Sequence, residues 1–175
     1  LAQDYKREYF EETYGAGGVE IAGVRALPLP RVRRVLKRIA EALPDTRRAA
    51  VGRRRTLDGK LKPRWVYWSF YAPIGFLGRF LFIHRLFRFV DFLLASRRYF
   101  DALLLEHRPA LIFTTDVQNE YDVALMQAAR RRGIATVGMV RSWDNLTTRA
   151  LRFVPNVLLV HNEIIRDEAV RYHGV

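Results

Sequence analysis

The sequence predicts an α/β fold, a Rossmann-like parallel sheet with flanking helices, and three observations carry that expectation. Three short apolar runs, 109–115 (PALIFTT), 134–140 (IATVGMV) and 155–160 (PNVLLV), have the length of buried strands. Between and after them lie two helical patterns with start and stop signals. The first, 116–133, opens at Asp116 and closes on three arginines and Gly133; the second, 162–174, opens at Asn162 and closes on Gly174. Strands that alternate with helices, with a short helical turn after 140, are joined as a parallel sheet with right-handed crossovers.

The elements before this block are read in order. Residues 2–14 (AQDYKREYFEETY) predict a helix, broken by GAGG at 15–18, and VEIAGV at 19–24 predicts a short strand. GAGGVE departs from the GxGxxG phosphate loop at Glu20 and follows a helix instead of preceding one, so it reads as a turn. After Pro28 and Pro30, Val32, Val35, Leu36, Ile39 and Leu43 recur at helical spacing up to Pro44 and predict a basic amphipathic helix. The stretch 53–64 (RRRTLDGKLKPR) contains an Asp58-Gly59 turn and predicts an exposed basic loop or hairpin.

Residues 65–95 are the most apolar part of the chain, yet Arg79, His84, Arg85, Arg88 and Asp91 interrupt every window of the roughly 20 residues a spanning helix needs. On a helical projection His84, Arg85, Arg88 and Asp91 share one side, and Phe76, Phe80, Ile83, Phe87, Val90 and Leu94 the other. The expectation is an aromatic amphipathic helix over about 76–107. Its apolar face suits core packing or a membrane interface, and continuation through SRRYFDALLLEH towards a strand favours the core.

Composition narrows the classes. The chain has 175 residues, half of them hydrophobic, enough for a real core. The absence of cysteine excludes disulfides, thiolate zinc sites and thiol catalysis, and the default compartment is the cytoplasm. In a cytoplasmic chain the sequon Asn145-Leu146-Thr147 carries little weight. The formal charge is +12, and residues 31–64 supply +10 of it, from thirteen Lys and Arg against Glu41, Asp45 and Asp58. Such a segment suits an anionic partner, whether nucleic acid, acidic lipid or a phosphorylated substrate, and equally a solvated face. No Walker loop, HExxH, GxSxG elbow or metal-ligand cluster is present, so no metal site is expected.

Ligands of open parallel sheets bind beyond the carboxyl ends of the strands, where helix N-termini and loops converge. Three such ends can be read: Thr114, Thr115 and Asp116; Arg141, Ser142, Trp143, Asp144 and Asn145; and His161, Asn162 and Glu163. An acid, an imidazole, an aromatic plate, amides and a guanidinium on one rim could hold a hydroxylated or charged ligand. Asp116, or alternatively His161, could act as general base. The same residues have plain structural uses: Asp116, Ser142 and Asn162 are good helix caps, and Trp143 could anchor a core.

The string VRSWDNLTTR after one strand, the proline-led strand ending LLVHNE and the helix ending AVRYHGV resemble the N-terminal domain of GT-B glycosyltransferases. The likeness covers roughly 109–175 and is nearest to bacterial surface-polysaccharide enzymes, with a related architecture in CDP-glycerol glycerophosphotransferases and UDP-N-acetylglucosamine 2-epimerases. The resemblance implies a two-domain enzyme whose N-terminal half binds a glycan or lipid-linked acceptor and whose C-terminal half binds a nucleotide-activated donor as substrate, with no cofactor. It places Ser142 to Asn145, His161 and Asn162 at the cleft, with Asp116 as candidate base. Against that pattern, residues 1–175 look like a partial acceptor-side domain, lacking a strand before the first helix and the donor domain after Val175, and inactive alone. The DxD metal string of the other large glycosyltransferase fold is absent.

The basic segment beside an aromatic helix adds the expectation of peripheral attachment at the inner face of the plasma membrane. The competing class is a basic nucleic-acid-binding module, supported by charge alone, and an epimerase-type relative is a third.

Overall fold

A computed structural model of the chain describes residues 2–3, 6–17, 23–24, 27, 30–56, 58–95 and 99–175. The fold is mixed α/β, a small parallel sheet with helices packed against it. Strands β3 (Leu111–Thr114), β4 (Ala135–Met139) and β5 (Val157–Leu159) lie in that order, with Phe113 beside Val137 and Val137 beside Val157. Preceding them are a two-residue strand β1 (Ala2–Gln3), helix α1 (Arg7–Tyr14) and strand β2 (Gly23–Val24), which pairs parallel to β1. The helix expected over 2–14 is thus shortened at its start, and a strand does precede it. Gly15–Gly17 form a tight helical turn. Glu20 and most of the 19–24 run lie outside the described residues.

Helix α8 (Glu120–Arg131) returns the chain from β3 to β4, and α10 (Glu163–His173) follows β5. Seven consecutive residues of α8, Val123 to Ala129, are buried. A helix buried all round is a central helix, with partners on both sides. On one side Val123 and Met126 meet Val117, Val140, Leu146, Leu151, Phe153 and Ile165. On the other, Ala124, Leu125 and Ala128 meet Phe100 and Leu104, the latter from α7 (Asp101–His107). Thr114, Thr136 and Gly138 lie on the covered face of the sheet, whereas Leu111, Phe113, Val157 and Leu159 on its other face are exposed.

The cap of α8 corrects the sequence reading. Asn119, not Asp116, accepts the first-turn hydrogen bond, from the Tyr121 amide at 2.9 Å. Asp116 begins a separate turn in which its carboxylate accepts from the Gln118 amide at 3.0 Å. At the far end Gly133, at φ +71°, takes the left-handed conformation that closes the helix before β4. Asn162 does cap α10, accepting from the Ile165 amide at 3.0 Å.

The basic third of the chain is more helical than expected. Helix α2 (Arg31–Ala42) is present, but it turns Arg33, Leu36 and Ala40 inward and leaves Val32 and Val35 exposed. A further helix, α3 (Arg47–Arg54), takes Arg53 and Arg54 out of the predicted hairpin. Thr46 caps it, and buried Arg53 donates to the Ala42 and Pro44 carbonyls at 2.9 and 2.8 Å. The hairpin is confined to the Arg55–Leu61 pairing around Gly59.

The helix expected over 76–107 is three separate pieces. A first arm runs through α4 (Arg64–Val66), a π-helical turn (Tyr67–Tyr71) and α5 (Ala72–Leu77). Pro73 accounts for the wide turn: it has no amide to donate, and its ring would crowd the carbonyl four residues back in a regular helix. The chain then bends by 109° and continues as α6 (Leu81–Leu94). Gly78 sits at the bend because a Cβ there would lie 1.6 Å from the Leu43 carbonyl oxygen. The third piece is α7, after α6 ends in extended backbone at Ala95.

Helix α6 meets the core along a different line from the expected apolar face: Phe87 and half-buried Ile83 do pack with Leu36, Ala40 and Leu43, but Phe80, Val90 and Leu94 of that face are exposed. His84, Phe87 and Asp91 are buried, while Phe82, Leu86, Phe89 and Leu93 point to solvent. The reason is a buried polar network. Asp91 accepts two hydrogen bonds from the Arg152 guanidinium, at 2.7 and 3.3 Å, and one from the Gln127 amide at 2.8 Å. Arg152 also binds Glu120 at 2.6 Å. Burial lowers the affinity of Arg152 for its proton, but Asp91 and Glu120 more than compensate and raise it above the ordinary value. No single helix among the described residues is long and apolar enough to cross a membrane.

Candidate functional site

The rim at the carboxyl ends of the strands is built by three loops that the ladder extends into. The Val117 amide donates to the Met139 carbonyl, and the Val140 amide to the Leu159 carbonyl, so each loop leaves the sheet tethered to its neighbour. Across the first gap Arg141 faces Asp116 at 3.8 Å. Arg141 is well exposed, so the pair contributes little to stability and leaves the guanidinium accessible to a ligand.

The segment Ser142–Asn145 is held from below. Its short helix α9 (Asn145–Thr148) plants Leu146 in the core with no exposed surface. Burying a leucine fully stabilises by about 1.5–3 kcal/mol. Gln118 donates to the carbonyls of Asn145 and Arg149 at 3.1 and 2.8 Å, and His173 contacts the Leu146 carbonyl at 2.8 Å. Above that anchor Ser142 donates to Asp144 at 2.9 Å, which keeps the Asp144 carboxylate on the rim. Trp143, between them, is 76% exposed. It is not a core anchor, and Ser142 is not a helix cap.

Asp116 has a second acidic neighbour that the sequence reading passed over. Asp122, in the first turn of α8, accepts from the Asp116 amide at 3.1 Å. Burial, and the Asp116 charge beside it, push its carboxyl up to about 6, although the Asp116 amide opposes the shift. Two neighbouring carboxyls in different environments, one ion-paired and one poised near neutrality, are a usual arrangement for acid–base work. The signal in the sequence was Asp116 and Asp122 six residues apart around a capping Asn119. Gln118 was also missed; its Oε1 is buried with no partner among the described residues.

The remaining predicted residues are divided. Asn145 contributes its backbone to the anchor. Asn162 uses its side-chain oxygen to cap α10, and its side chain is exposed at the rim. His161 is exposed just past the end of β5, with no hydrogen bond or ion pair to the residues above among the described ones. The structure thus joins Asp116 to Arg141 and Ser142 to Asp144 on adjoining loops and adds Asp122. No group of three or more His, Cys, Asp or Glu that could hold a metal occurs among the described residues. Two clefts elsewhere, one of 240 Å³ lined by Arg88, Phe92, Arg130 and Arg152, and one beside Asp101 and Arg131, contain none of the rim residues. No family model matches the chain, and no curated protein or solved structure matches it.

Proposed function

We propose that this chain is the acceptor-side domain of a GT-B-type transferase, which moves a group from a nucleotide-activated donor onto a hydroxyl of a cell-envelope or lipid-linked acceptor. The observation that carries the reading is the Asp116–Asp122 pair beside Arg141 and the exposed Trp143, at the carboxyl ends of parallel strands. In this account Trp143 stacks on a sugar face and Asp144 accepts from its hydroxyls. Arg141 holds an anionic group of the acceptor or donor. Asp122, rather than Asp116, takes the proton as the acceptor oxygen bonds to the donor carbon or phosphorus and the nucleotide leaves with the bonding electrons. The string SWDNLT also supports the GT-B reading. The acceptor brings this rim to the cytoplasmic face of an anionic membrane.

The test is release of a nucleoside diphosphate or monophosphate from a panel of activated donors by the longest natural gene product that contains these residues, with envelope acceptors. Acceptor-dependent release that falls at least a hundredfold in Asp122→Asn supports the reading. Wild-type rates in that variant would remove Asp122 as the base, and no release with any donor would remove the transferase.

A further inference from the structure

The bend between α5 and α6 places a large apolar surface on the outside of the protein. On the second arm Phe82, Leu86, Phe89 and Leu93 fall at i, i+4, i+7 and i+11, a single outward stripe that is 52–63% exposed. At the bend the rings of Phe76, Phe80 and Phe82 touch in sequence, at centroid distances of 6.0 Å for each neighbouring pair. The first arm adds Trp65 and Trp68, exposed by 75% and 62%. Scattered exposed apolar residues are ordinary on a soluble protein, but large apolar side chains exposed together along two adjoining helices, with rings in contact across the bend, make a binding surface.

The orientation is fixed from within. Asp91, buried against Arg152 and Gln127, and His84, bonded to the Gly78 carbonyl at 2.9 Å, hold their own line of α6 inward. Phe82, Leu86, Phe89 and Leu93, on the side away from these two anchors, are therefore outward by construction. Phe87 is already in the core, and the Asp91 network would have to break before the helix could turn Phe82 and Phe89 inward as well.

Cations border the ridge. Helix α3 packs beside the first arm and carries exposed Arg47, Arg48 and Arg54; Arg64 opens that arm, and Arg79 at the bend lies over the Phe76 ring and pairs with Asp45 at 3.4 Å. Lys62 and Arg54 sit over the rings of Tyr71 and Tyr67, at 3.9 and 5.5 Å. Where the ridge meets α8, Phe89 lines the 240 Å³ cleft together with Arg88 and Arg130, neither of which has a carboxylate partner among the described residues. Burial weakens the hold of Arg88 on its proton, and Arg85 adds to the effect, so an anion in that cleft would be favoured.

We infer that the α5–α6 elbow is a monotopic membrane anchor: its aromatic ridge lies in the interface of an anionic bilayer, and the flanking arginines, with the Arg88–Arg130 cleft, engage lipid phosphates. The combination of tryptophans, an apolar stripe and a cationic border is that of a surface-lying helix. Each arm has 14 residues, about 21 Å of helix, too short for a hydrocarbon core of about 30 Å. This deepens the partner in the proposed reading, an enzyme at an anionic membrane. It is measured without any substrate, so its failure and that of the rim chemistry are distinguishable.

The experiment is flotation of the 175-residue chain with vesicles of phosphatidylcholine alone or mixed with phosphatidylglycerol. Trp65 and Trp68 fluorescence is read with brominated lipids in a Trp143→Phe background. The expected result is at least tenfold tighter binding to the anionic vesicles, with tryptophan quenching. Phe82→Ser/Phe89→Ser should lose at least tenfold while keeping the wild-type circular dichroism and melting temperature. Arg47→Glu/Arg48→Glu should lose only the preference for anionic lipid. Binding unchanged in the serine variant would overturn the anchor. So would vesicle indifference with a dimer that the serine substitutions dissociate, which would make the ridge a subunit interface. Salt-sensitive binding of single-stranded RNA, lost in the same variants while vesicles are ignored, would overturn it in favour of a nucleic-acid surface.

Discussion

Arg152 grips Asp91 through two guanidinium nitrogens, 2.7 and 3.3 Å from its carboxylate, and neither side chain is more than 5% exposed. The pair joins α6 to the loop before β5, and through Glu120 and Gln127 to α8. Its energetic weight lies in what happens when one member is removed. A buried ion pair adds little over a well-packed apolar pair, but an orphaned buried charge is costly. Asp91→Ala and Arg152→Met should each lower the unfolding free energy by about 3–5 kcal/mol. In urea titrations of a double-mutant cycle the two losses should not add, with a coupling of at least about 2 kcal/mol. Additive losses would mean that the contact does not set the orientation of α6.

The His84–His173 pair predicts an acid-sensitive fold. The two rings are fully buried with centroids 5.8 Å apart, and burial, with smaller contributions from His84 and Arg88, pushes His173 down to about 3. A histidine whose folded value lies below its unfolded value is neutral in the native state and takes up a proton only on unfolding. Its stabilisation is therefore complete above about pH 6.5 and is lost as pH falls towards 3. Between pH 7 and pH 5 the loss amounts to about 2 kcal/mol, and burial gives His84 the same sign. Chemical denaturation at the two pH values checks this, and His173→Gln should flatten the dependence.

Asp122 works in the opposite sense. Its folded value of about 6 lies above its unfolded value, so the charged form is disfavoured by folding and stability falls as pH rises from about 4 to 6. Asp122→Asn keeps an oxygen that can accept from the Asp116 amide. It should raise stability at pH 7 by about 1–2 kcal/mol after discounting for partial exposure. The functional prediction is the reverse: the stabilised variant should be the inactive one, as expected where a site retains a strained charge.

Gly78 predicts a steric effect without a change in polarity. Alanine would drive its Cβ into the Leu43 carbonyl, a backbone atom that cannot rotate away. Gly78→Ala should cost at the upper end of the about 1–3 kcal/mol typical of overpacking, or more. Because it moves the bend itself, it should also weaken vesicle binding. Gly52→Ala, with open space around the added carbon, is the matched control.

Trp143→Ala should leave stability within about 0.5 kcal/mol, since the ring is exposed, yet raise the acceptor KM about fivefold for the loss of about 1 kcal/mol of stacking. Thermal melts and initial rates separate the two effects. A destabilised variant would show that the ring supports the loop.

The parallel sheet was legible because β3, β4 and β5 are short apolar runs bounded by glycine, proline and capping residues, and that pattern is local. The cap of α10 at Asn162 was legible for the same reason. What failed was whatever depended on distant partners. Asp91 and His84 were visible as a polar stripe, but a stripe alone does not say which side is inside; Arg152, 61 residues away, decides it. The break at Gly78 required knowing that Leu43 passes behind it. At the rim, SWDN was singled out correctly as a loop at a strand end, but its division into an exposed Trp143 and a buried Leu146 follows from Gln118 and His173. Asp122 was hidden inside a helix pattern, where an acid in the first turn looks like an ordinary dipole partner.

The most direct test of the rim as the acceptor site is an amide correlation spectrum of the isotopically labelled chain, titrated with short oligosaccharides released from a bacterial cell envelope. Shifts concentrated at Thr115, Asp116, Arg141, Trp143 and Asp144, and abolished by Trp143→Ala, are the predicted result. Shifts confined to the cleft of Arg88, Phe92 and Arg130, with the rim silent, would contradict the assignment and move the acceptor to that cleft.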